Sequence, residues 1–180
     1  MKELRRFVWY LAGRLFVILM AVCLCILVFF YAMNASNIYV VLKDGMARRA
    51  QVIMMDESPN LLTRYFQTSW LQRDQNLQQA LDGESPYKCY NVRGIDHRLK
   101  MTWMWCWPWE NTARATFIET VPRIDGRLNS AYAGTARELF GDSYQSPPRW
   151  QGIKYNAVLV KENSQWRVRS LTAVQSVENE

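Results

Sequence analysis

The chain is poor in the residues that most often carry metal binding and enzyme chemistry. It has a single histidine, His97, and four cysteines, none of which form a CxxC pair. Structural zinc sites use closely spaced cysteine and histidine ligands. There is also no glycine-rich loop ahead of a helix, no serine at a nucleophile elbow and no zinc-hydrolase signature. The sequence therefore predicts neither a metal site nor a cofactor.

Dense clusters of one charge sign are missing as well. The formal net charge is +6, but no concentrated group of lysines and arginines occurs beyond residue 33. Domains that bind nucleic acid gather their basic residues into a patch or stripe. A nucleic-acid partner is therefore not expected.

What the chain does have is one long apolar run, from Leu15 to Met33, without a charged residue. A hydrocarbon core about 30 Å thick needs ~20 apolar helical residues to cross it. A helix satisfies its own backbone polar groups in that environment. Residues 15–33 therefore predict a transmembrane helix in the lipid bilayer, with Tyr31 near one interface.

The charges before this run predict its orientation. Residues 1–14 carry one acid, Glu3, and four bases, which are Lys2, Arg5, Arg6 and Arg14. Positively charged flanks stay in the cytoplasm. We therefore expect a basic cytoplasmic tail over residues 1–14, an extracytoplasmic C-terminal domain, and a single-pass protein of the cell membrane.

A cleaved signal peptide is the rival interpretation of the apolar run. Its apolar region is shorter, about 7–15 residues, and small residues precede the cleavage site. At the best candidate site, Met33-Asn34-Ala35, the bulky Met33 occupies the outer small position. An uncleaved anchor is therefore favoured.

The four cysteines divide between the two parts of the chain. Cys23 and Cys25 lie inside the apolar run, where a thiol acts as small apolar filler. Cys89 and Cys106 lie in the outer domain, and an oxidising exterior would allow a disulfide between them. The sequence leaves this disulfide and two free buried thiols as open alternatives.

Residues 34–57 are expected to form a juxtamembrane hairpin or connector. Ile38–Leu42 is apolar and partly β-branched, and Asp44-Gly45 is typical of a hairpin turn. The return strand would lie within residues 50–55. A helix over Gly45–Met54 is the alternative that the sequence leaves open.

Ser58-Pro59 predicts the start of a helix, since serine is a good N-cap and proline fits the first turn. An apolar stripe at helical spacing follows, formed by Leu62, Phe66 and Trp70. Asp74 is expected to cap a shorter helix that ends at Gly83. These two segments predict a helical hairpin.

The period of the pattern changes from 3.6 to 2 after this hairpin. Odd positions from Ile95 to Trp109 are apolar or aromatic apart from His97, which predicts a long strand with one buried face. A second strand follows from Ala113 to Val121, then a turn at Arg123–Gly126.

The rest of the chain contains one or two helical turns over Thr135–Phe140 and a final hairpin over residues 152–174. Helices followed by a strand meander predict an α+β domain over residues 58–174. In this domain the helical hairpin packs on a curved antiparallel sheet. An acidic tail over residues 175–180 ends the chain.

Four tryptophans, at positions 103, 105, 107 and 109, alternate along the predicted long strand. We expect Trp103 and Trp105 to fill the sheet face beneath the helices, since tryptophans bury large areas. Trp107 and Trp109 lie beside Pro108, where strand pairing fails. These two residues are the candidates for contact with a partner or ligand.

His97 and Glu119 both lie in phase with the apolar faces of their strands. Burial raises the pKa of a carboxyl group in general. His97, Glu119 and Tyr155 are therefore candidate catalytic residues for a proton-transfer site in a pocket of the domain. The alternative is structural, with His97 partly buried and satisfied and Glu119 either paired with an arginine or placed at the rim of the sheet.

The helical pair, the long strands and the ending YNAVLVKENSQWRVRSLTAV resemble the nuclear-transport-factor-like superfamily, also called the cystatin-like cone. Its last hairpin often reads as an alternating strand, a polar turn, a tryptophan and a final strand. The residues that match this habit are Val158, Val160, Trp166 and Val168. The resemblance covers residues 58–174 and implies a cone-like sheet.

A single N-terminal span followed by such a cone also resembles the bitopic assembly proteins of conjugation and type IV secretion machines. This implies a non-catalytic scaffold or accessory subunit of a cell-envelope complex in transfer, secretion or sporulation, with other envelope proteins as partners. Homo-oligomerisation stays open. Two alternative functions also stay open: a small-ligand binder or enzyme that uses the cone pocket, and a cell-wall glycan binder that uses exposed tryptophans.

Overall fold

The fold is α+β, and the computed structural model describes residues 2–178. One long helix is followed by short helices and by a four-stranded antiparallel sheet. The α-helices are α1 (Lys2–Met55), α2 (Thr68–Leu71), α3 (Gln75–Leu81) and α4 (Ala133–Phe140). The strands are β1 (Tyr90–Cys106), β2 (Thr112–Leu128), β3 (Gly152–Glu162) and β4 (Gln165–Val177). Short 3₁₀ helices lie at Pro59–Arg64, Pro86–Cys89, Ser130–Tyr132 and Gly141–Ser143.

Helix α1 is a single helix of 54 residues, which is about 80 Å at 1.5 Å per residue. Within the described part of the chain it is the one helix long and apolar enough to cross a membrane, and its most apolar window is fully exposed. Its C-terminal part instead buries one face in the core, through Ile38, Leu42, Met46, Ala50 and Ile53. The same helix therefore carries an exposed apolar segment and a central element of the core.

The predicted hairpin within residues 34–57 is wrong, and the helical alternative extends well beyond Gly45–Met54. The apolar residues recur every three or four positions, which favours a helix when a sheet is available to cover them. Gly45 does not form a turn; its missing side chain lets Tyr65 and Phe66 pack closely against α1. A Cβ atom at Gly45 would lie 2.9 Å from Cβ of Tyr65 and 3.3 Å from Cε2 of Phe66.

We expect Gly45→Ala to lower the free energy of unfolding by about 1 kcal/mol, because overpacking costs ~1–3 kcal/mol and the better helix propensity of alanine recovers ~1 kcal/mol. Urea unfolding followed by circular dichroism measures the change. Gly134→Ala on α4 is the matched control, since its Cβ would meet nothing within 4 Å. Equal stability of the two variants would contradict the close-contact role of Gly45.

The segment after α1 forms a 3₁₀ helix rather than the predicted α-helix. Ser58 begins it as predicted, and its Oγ accepts a hydrogen bond from the Asn60 amide at 3.5 Å. The helix stops because Phe66 forms a parallel bridge with Val168 of β4. Buried Phe66 also stacks on Trp70, with 4.7 Å between ring centroids.

The sheet is a simple meander in the order β1-β2-β3-β4, with every neighbouring pair antiparallel. The predicted final hairpin is confirmed, and its turn residues Asn163 and Ser164 have φ of 49° and 64°. Such positive values are typical of a type I′ turn. The buried residues Ala113, Ala115, Phe117 and Val121 confirm the predicted phase of β2.

Two boundaries differ from the expectations. Residues 123–126 do not turn, because β2 continues to Leu128 in register with the first half of β1. The last strand reaches Val177, so the predicted tail over residues 175–180 begins as paired strand. Its final residues, 179 and 180, lie outside the described residues.

The predicted burial of Trp103 and Trp105 is wrong, because β1 changes phase near its end. Leu99 and Met101 face the core, but the register shift between Met101 and Trp103 places an extra residue in β1. A one-residue slip moves every later side chain to the other face. Cys106 is therefore buried, whereas Trp103 and Trp105 are 51% and 46% exposed.

The candidate disulfide between Cys89 and Cys106 is wrong, because the two residues lie at opposite ends of β1. Their separation is roughly 50 Å at ~3.3 Å per strand residue, whereas a disulfide needs Cα atoms about 4.4–6.8 Å apart. All four cysteines, each within the described residues, are free. Burial raises the pKa of the Cys106 thiol.

Candidate functional site

Five polar side chains come together between the helices and the sheet, and we call them the interior cluster. They are Arg49 of α1, Asp74 before α3, His97 of β1, Glu119 of β2 and Tyr155 of β3. The three predicted catalytic candidates, His97, Glu119 and Tyr155, are therefore brought into one region. Sequence reasoning missed Arg49 and did not foresee the position of Asp74.

Arg49 and Asp74 form a two-point ion pair in the protein interior. Arg49 Nη2 donates to Asp74 Oδ1 at 2.9 Å, and Arg49 Nε donates to Asp74 Oδ2. The two side chains are only 5% and 6% exposed. Burial opposes the charge of Arg49, but the hydrogen bonds and the charge of Asp74 outweigh it, so the pKa of Arg49 is raised.

The sequence predicted that the Asp74 side chain caps α3. The ion pair explains why it does not. Asp74 lies at the N-cap position, and α3 ends before Gly83 (φ of 75°) as expected, but no side-chain cap hydrogen bond forms. The carboxylate faces Arg49 instead. The rings of Trp70 and Trp150 flank this guanidinium at 5.9 Å each.

His97 and Glu119 form the second buried contact of the interior cluster. His97 Nε2 lies 3.1 Å from Glu119 Oε1, and the side chains are 5% and 0% exposed. Glu119 is directly opposite Leu99, so His97, two positions earlier in β1, is its diagonal neighbour. Among the described residues, the second oxygen of Glu119, Oε2, has no hydrogen-bond partner.

Tyr155 completes the interior cluster on the β3 side. Burial, with a further contribution from the negative charge of Glu119, raises the pKa of Tyr155 to about 12. Its hydroxyl group therefore stays protonated at neutral pH. The charge of Arg49 acts on the pKa of Tyr155 in the opposite direction, so Tyr155 interacts with members of both buried contacts.

A histidine beside a carboxylate and a tyrosine can transfer protons where a substrate reaches them. A cavity of about 490 Å³ lies instead beside residues 52–55 and the start of β1, and no member of the interior cluster lines it. All five side chains are nearly inaccessible to solvent. In this conformation the interior cluster links α1 and α3 to the sheet rather than facing a substrate.

The sequence contained a signal for Arg49 that the hairpin interpretation hid. If residues 34–55 are treated as a helix, Arg49 lies three positions after Met46 and four before Ile53, on the buried face. A buried charge at such a position must be paired. A helical assignment would therefore have pointed to an acidic partner for Arg49.

The second candidate site is the tryptophan row, which consists of Trp103, Trp105, Trp107 and Trp109. All four rings are exposed, with Trp109 the most exposed at 66%. Trp107 stacks on Trp109 with 5.2 Å between centroids and meets Trp105 edge-on at 5.3 Å. Trp105, Trp107 and Trp109 form a continuous aromatic surface at the end of the edge strand β1.

The tryptophan row lies at the end of the sheet that adjoins the apolar part of α1. Strand β1 starts near the C-terminal end of α1, where Ser85 Oγ donates to the Ile53 carbonyl at 3.1 Å. It ends beside Tyr31, whose hydroxyl donates to the Met104 carbonyl at 3.4 Å. The Tyr31 and Trp105 rings are 6.4 Å apart.

Comparison with protein-family models, with curated proteins and with solved structures gives no match to this chain.

Proposed function

We propose that the chain is a single-pass membrane protein whose α+β domain acts outside the cytoplasm as a non-catalytic scaffold or accessory subunit. The complex would be one of the cell envelope, such as a transfer, secretion or sporulation machine. The observation that carries this proposal is the unbroken helix α1, which joins an exposed apolar segment to the core of the domain. Such a helix would hold the domain at a fixed position relative to the bilayer.

The continuity of α1 supports an uncleaved anchor. The best cleavage site, Met33-Asn34-Ala35, lies inside the helix, and Asn34 is only 7% exposed. A cut there would fall one turn before Ile38 enters the core. The bases ahead of the apolar run support a cytoplasmic N-terminus.

The shape of the sheet supports the resemblance to the cone superfamily, which we also propose. The pairing of β1 with β2 contains three register shifts, and such irregularities bend and twist the strands. The buried face of the sheet, with Phe117 and Leu159, belongs to the same core as Leu42 of α1 and Leu77 of α3. A bent sheet with helices on one face is the arrangement that the resemblance implies.

The outer edge of β4 is the surface through which we propose that a partner binds. β4 is the last strand in the sheet, and within residues 2–178 the pairing of its outer edge is a single bridge, from Val168 to Phe66. From Leu171 to Val177 this edge carries no charge, and Val174 is 53% exposed. Unprotected edges of this kind accept an added strand.

Crosslinking in the native host, followed by purification through a C-terminal tag, tests the scaffold proposal. We expect a stoichiometric set of envelope proteins, identified by mass spectrometry. Recovery of the chain alone, or only with further copies of itself, would contradict the proposal.

The same experiment tests the β4 edge. We expect Val174→Lys to reduce the recovered partner about tenfold, which corresponds to ~1.4 kcal/mol of binding free energy, because a lysine blocks strand addition. Gln75→Lys on the exposed surface of α3 adds the same charge and serves as the control. Equal recovery with both variants would rule out the β4 edge as the contact.

A further inference from the structure

The tip of the β1–β2 hairpin, residues 107–111, projects from the sheet toward the apolar segment of α1. Strand β1 runs antiparallel to α1, and Trp105 lies at the level of Tyr31. Two strand residues advance ~7 Å, so Trp107 lies about that distance further along the same direction. Trp109 stacks on Trp107 and extends the aromatic surface at the tip.

Tyr31 marks the depth of this tip relative to the bilayer. It lies two residues before the end of the apolar run, where an aromatic ring with a polar group favours the membrane–water interface. A tryptophan in contact with Tyr31 lies at the same depth. Trp107 and Trp109 therefore lie at or below the level at which lipid headgroups meet acyl chains.

The groups around the aromatic rings also suit a lipid surface. Arg114 is exposed and directly opposite Trp105 in the sheet, and the Lys161 backbone amide donates a hydrogen bond to the Asn111 carbonyl at the tip. Cations beside interfacial aromatics interact with lipid phosphates. Glu110 is the one acidic residue among residues 107–111, so the tip itself carries little negative charge.

We propose that the β1–β2 hairpin tip inserts into the headgroup region of the bilayer that α1 crosses, through Trp105, Trp107 and Trp109. This inference rests on the proposed membrane insertion of α1. The domain is then attached to the membrane at two points, the helix and the tip. The end of the sheet that carries the β1–β2 and β3–β4 turns then faces the lipid, and residues 171–177 of β4 lie toward the opposite end.

Quenching of tryptophan fluorescence by brominated lipid tests this inference on the full chain in nanodiscs of phosphatidylcholine with a minor fraction of phosphatidylglycerol. Bromines near the top of the acyl chains quench only rings at that depth. The variant Trp107→Phe/Trp109→Phe is expected to lose about half of the quenchable emission, since it removes two of the four rings expected at an interface, the others being Trp9 and Trp105.

Trp103→Phe is the matched control. Trp103 has similar exposure, 51%, but lies further from the tip, so its replacement is expected to leave the quenchable emission almost unchanged. Because all these rings are exposed, the variants should keep the wild-type circular dichroism spectrum.

Three outcomes would overturn the inference, and they differ in whether they also contradict the membrane insertion of α1. Unchanged quenching in the double variant, with the protein still floating with vesicles, would show that the tip does not reach lipid and would leave the anchor intact. The rings could escape quenching by brominated lipid while the chain crosslinks to a second copy or to wall glycan, and this crosslinking could be lost in the double variant. That result would assign the tryptophan row to that partner. Failure of the full chain to float with vesicles would overturn the anchor as well.

Discussion

Removal of residues 1–33 is expected to leave a soluble domain that unfolds cooperatively, whereas removal of residues 1–55 is expected to abolish folding. The longer deletion takes away the buried residues Ile38, Leu42, Met46, Ala50 and Ile53. Each fully buried large apolar side chain contributes ~1.5–3 kcal/mol, and a domain has about 5–15 kcal/mol of stability in total. The loss therefore matches the whole stability of the domain.

Thermal and urea unfolding, followed by circular dichroism, distinguish the two deletions. The shorter deletion is the control for the loss of the apolar segment, because it leaves the core face of α1 intact. Aggregation of the shorter fragment, or a melt without cooperativity, would show that residues 34–55 need the bilayer or a partner to stay helical. A cooperative melt of the longer deletion would show that α1 is not part of the core.

Arg49→Met is expected to lower the free energy of unfolding by about 3–5 kcal/mol, the usual cost of removing one partner of a buried ion pair. The substitution leaves the Asp74 carboxylate, which is 6% exposed, without its cation. Methionine keeps most of the side-chain volume between Trp70 and Trp150. The change in the free energy of unfolding is therefore due to the lost charge rather than to lost packing. Urea unfolding of the fragment 34–180 measures it.

Arg48→Met is the matched control for this prediction. The neighbouring residue Arg48 pairs with Glu57 at 2.7 Å, but the side chains are 42% and 38% exposed. Exposed pairs contribute about 0–1 kcal/mol. A double variant, Arg49→Met with Asp74→Leu, is expected to recover more than half of the loss, because no unpaired carboxylate remains at position 74. Similar stability of Arg49→Met and Arg48→Met would contradict the buried pair.

Local patterns in the sequence predicted the elements whose structure is determined by residues close to one another along the chain. The shorter helix before Gly83, the alternating burial of Ala113 to Val121 and the final hairpin are confirmed. In each case the period and the turn residues agree with the structure. The sequence also indicated His97 and Glu119 as members of one candidate site, and the structure places His97 Nε2 3.1 Å from Glu119 Oε1.

Contacts distant in sequence decided the elements that the sequence analysis missed. Asp44-Gly45 forms a turn in many hairpins, yet it stays helical here because Tyr65 and Phe66 pack against Gly45. One register shift in β1 turns Trp103 and Trp105 outward, and only pairing with β2 reveals it. Cys89 and Cys106 are far apart because the full length of β1 lies between them.

The sequence by itself therefore determined the apolar run, the α+β order and the phase of most strands, because these depend on composition and on periods of a few residues. The tertiary structure alone decided that α1 continues into the core, that Arg49 meets Asp74, and that the tryptophan row lies beside Tyr31. These features join residues tens of positions apart. Their stability comes from burial and ion pairing, which exist only once the helices and the sheet are packed together.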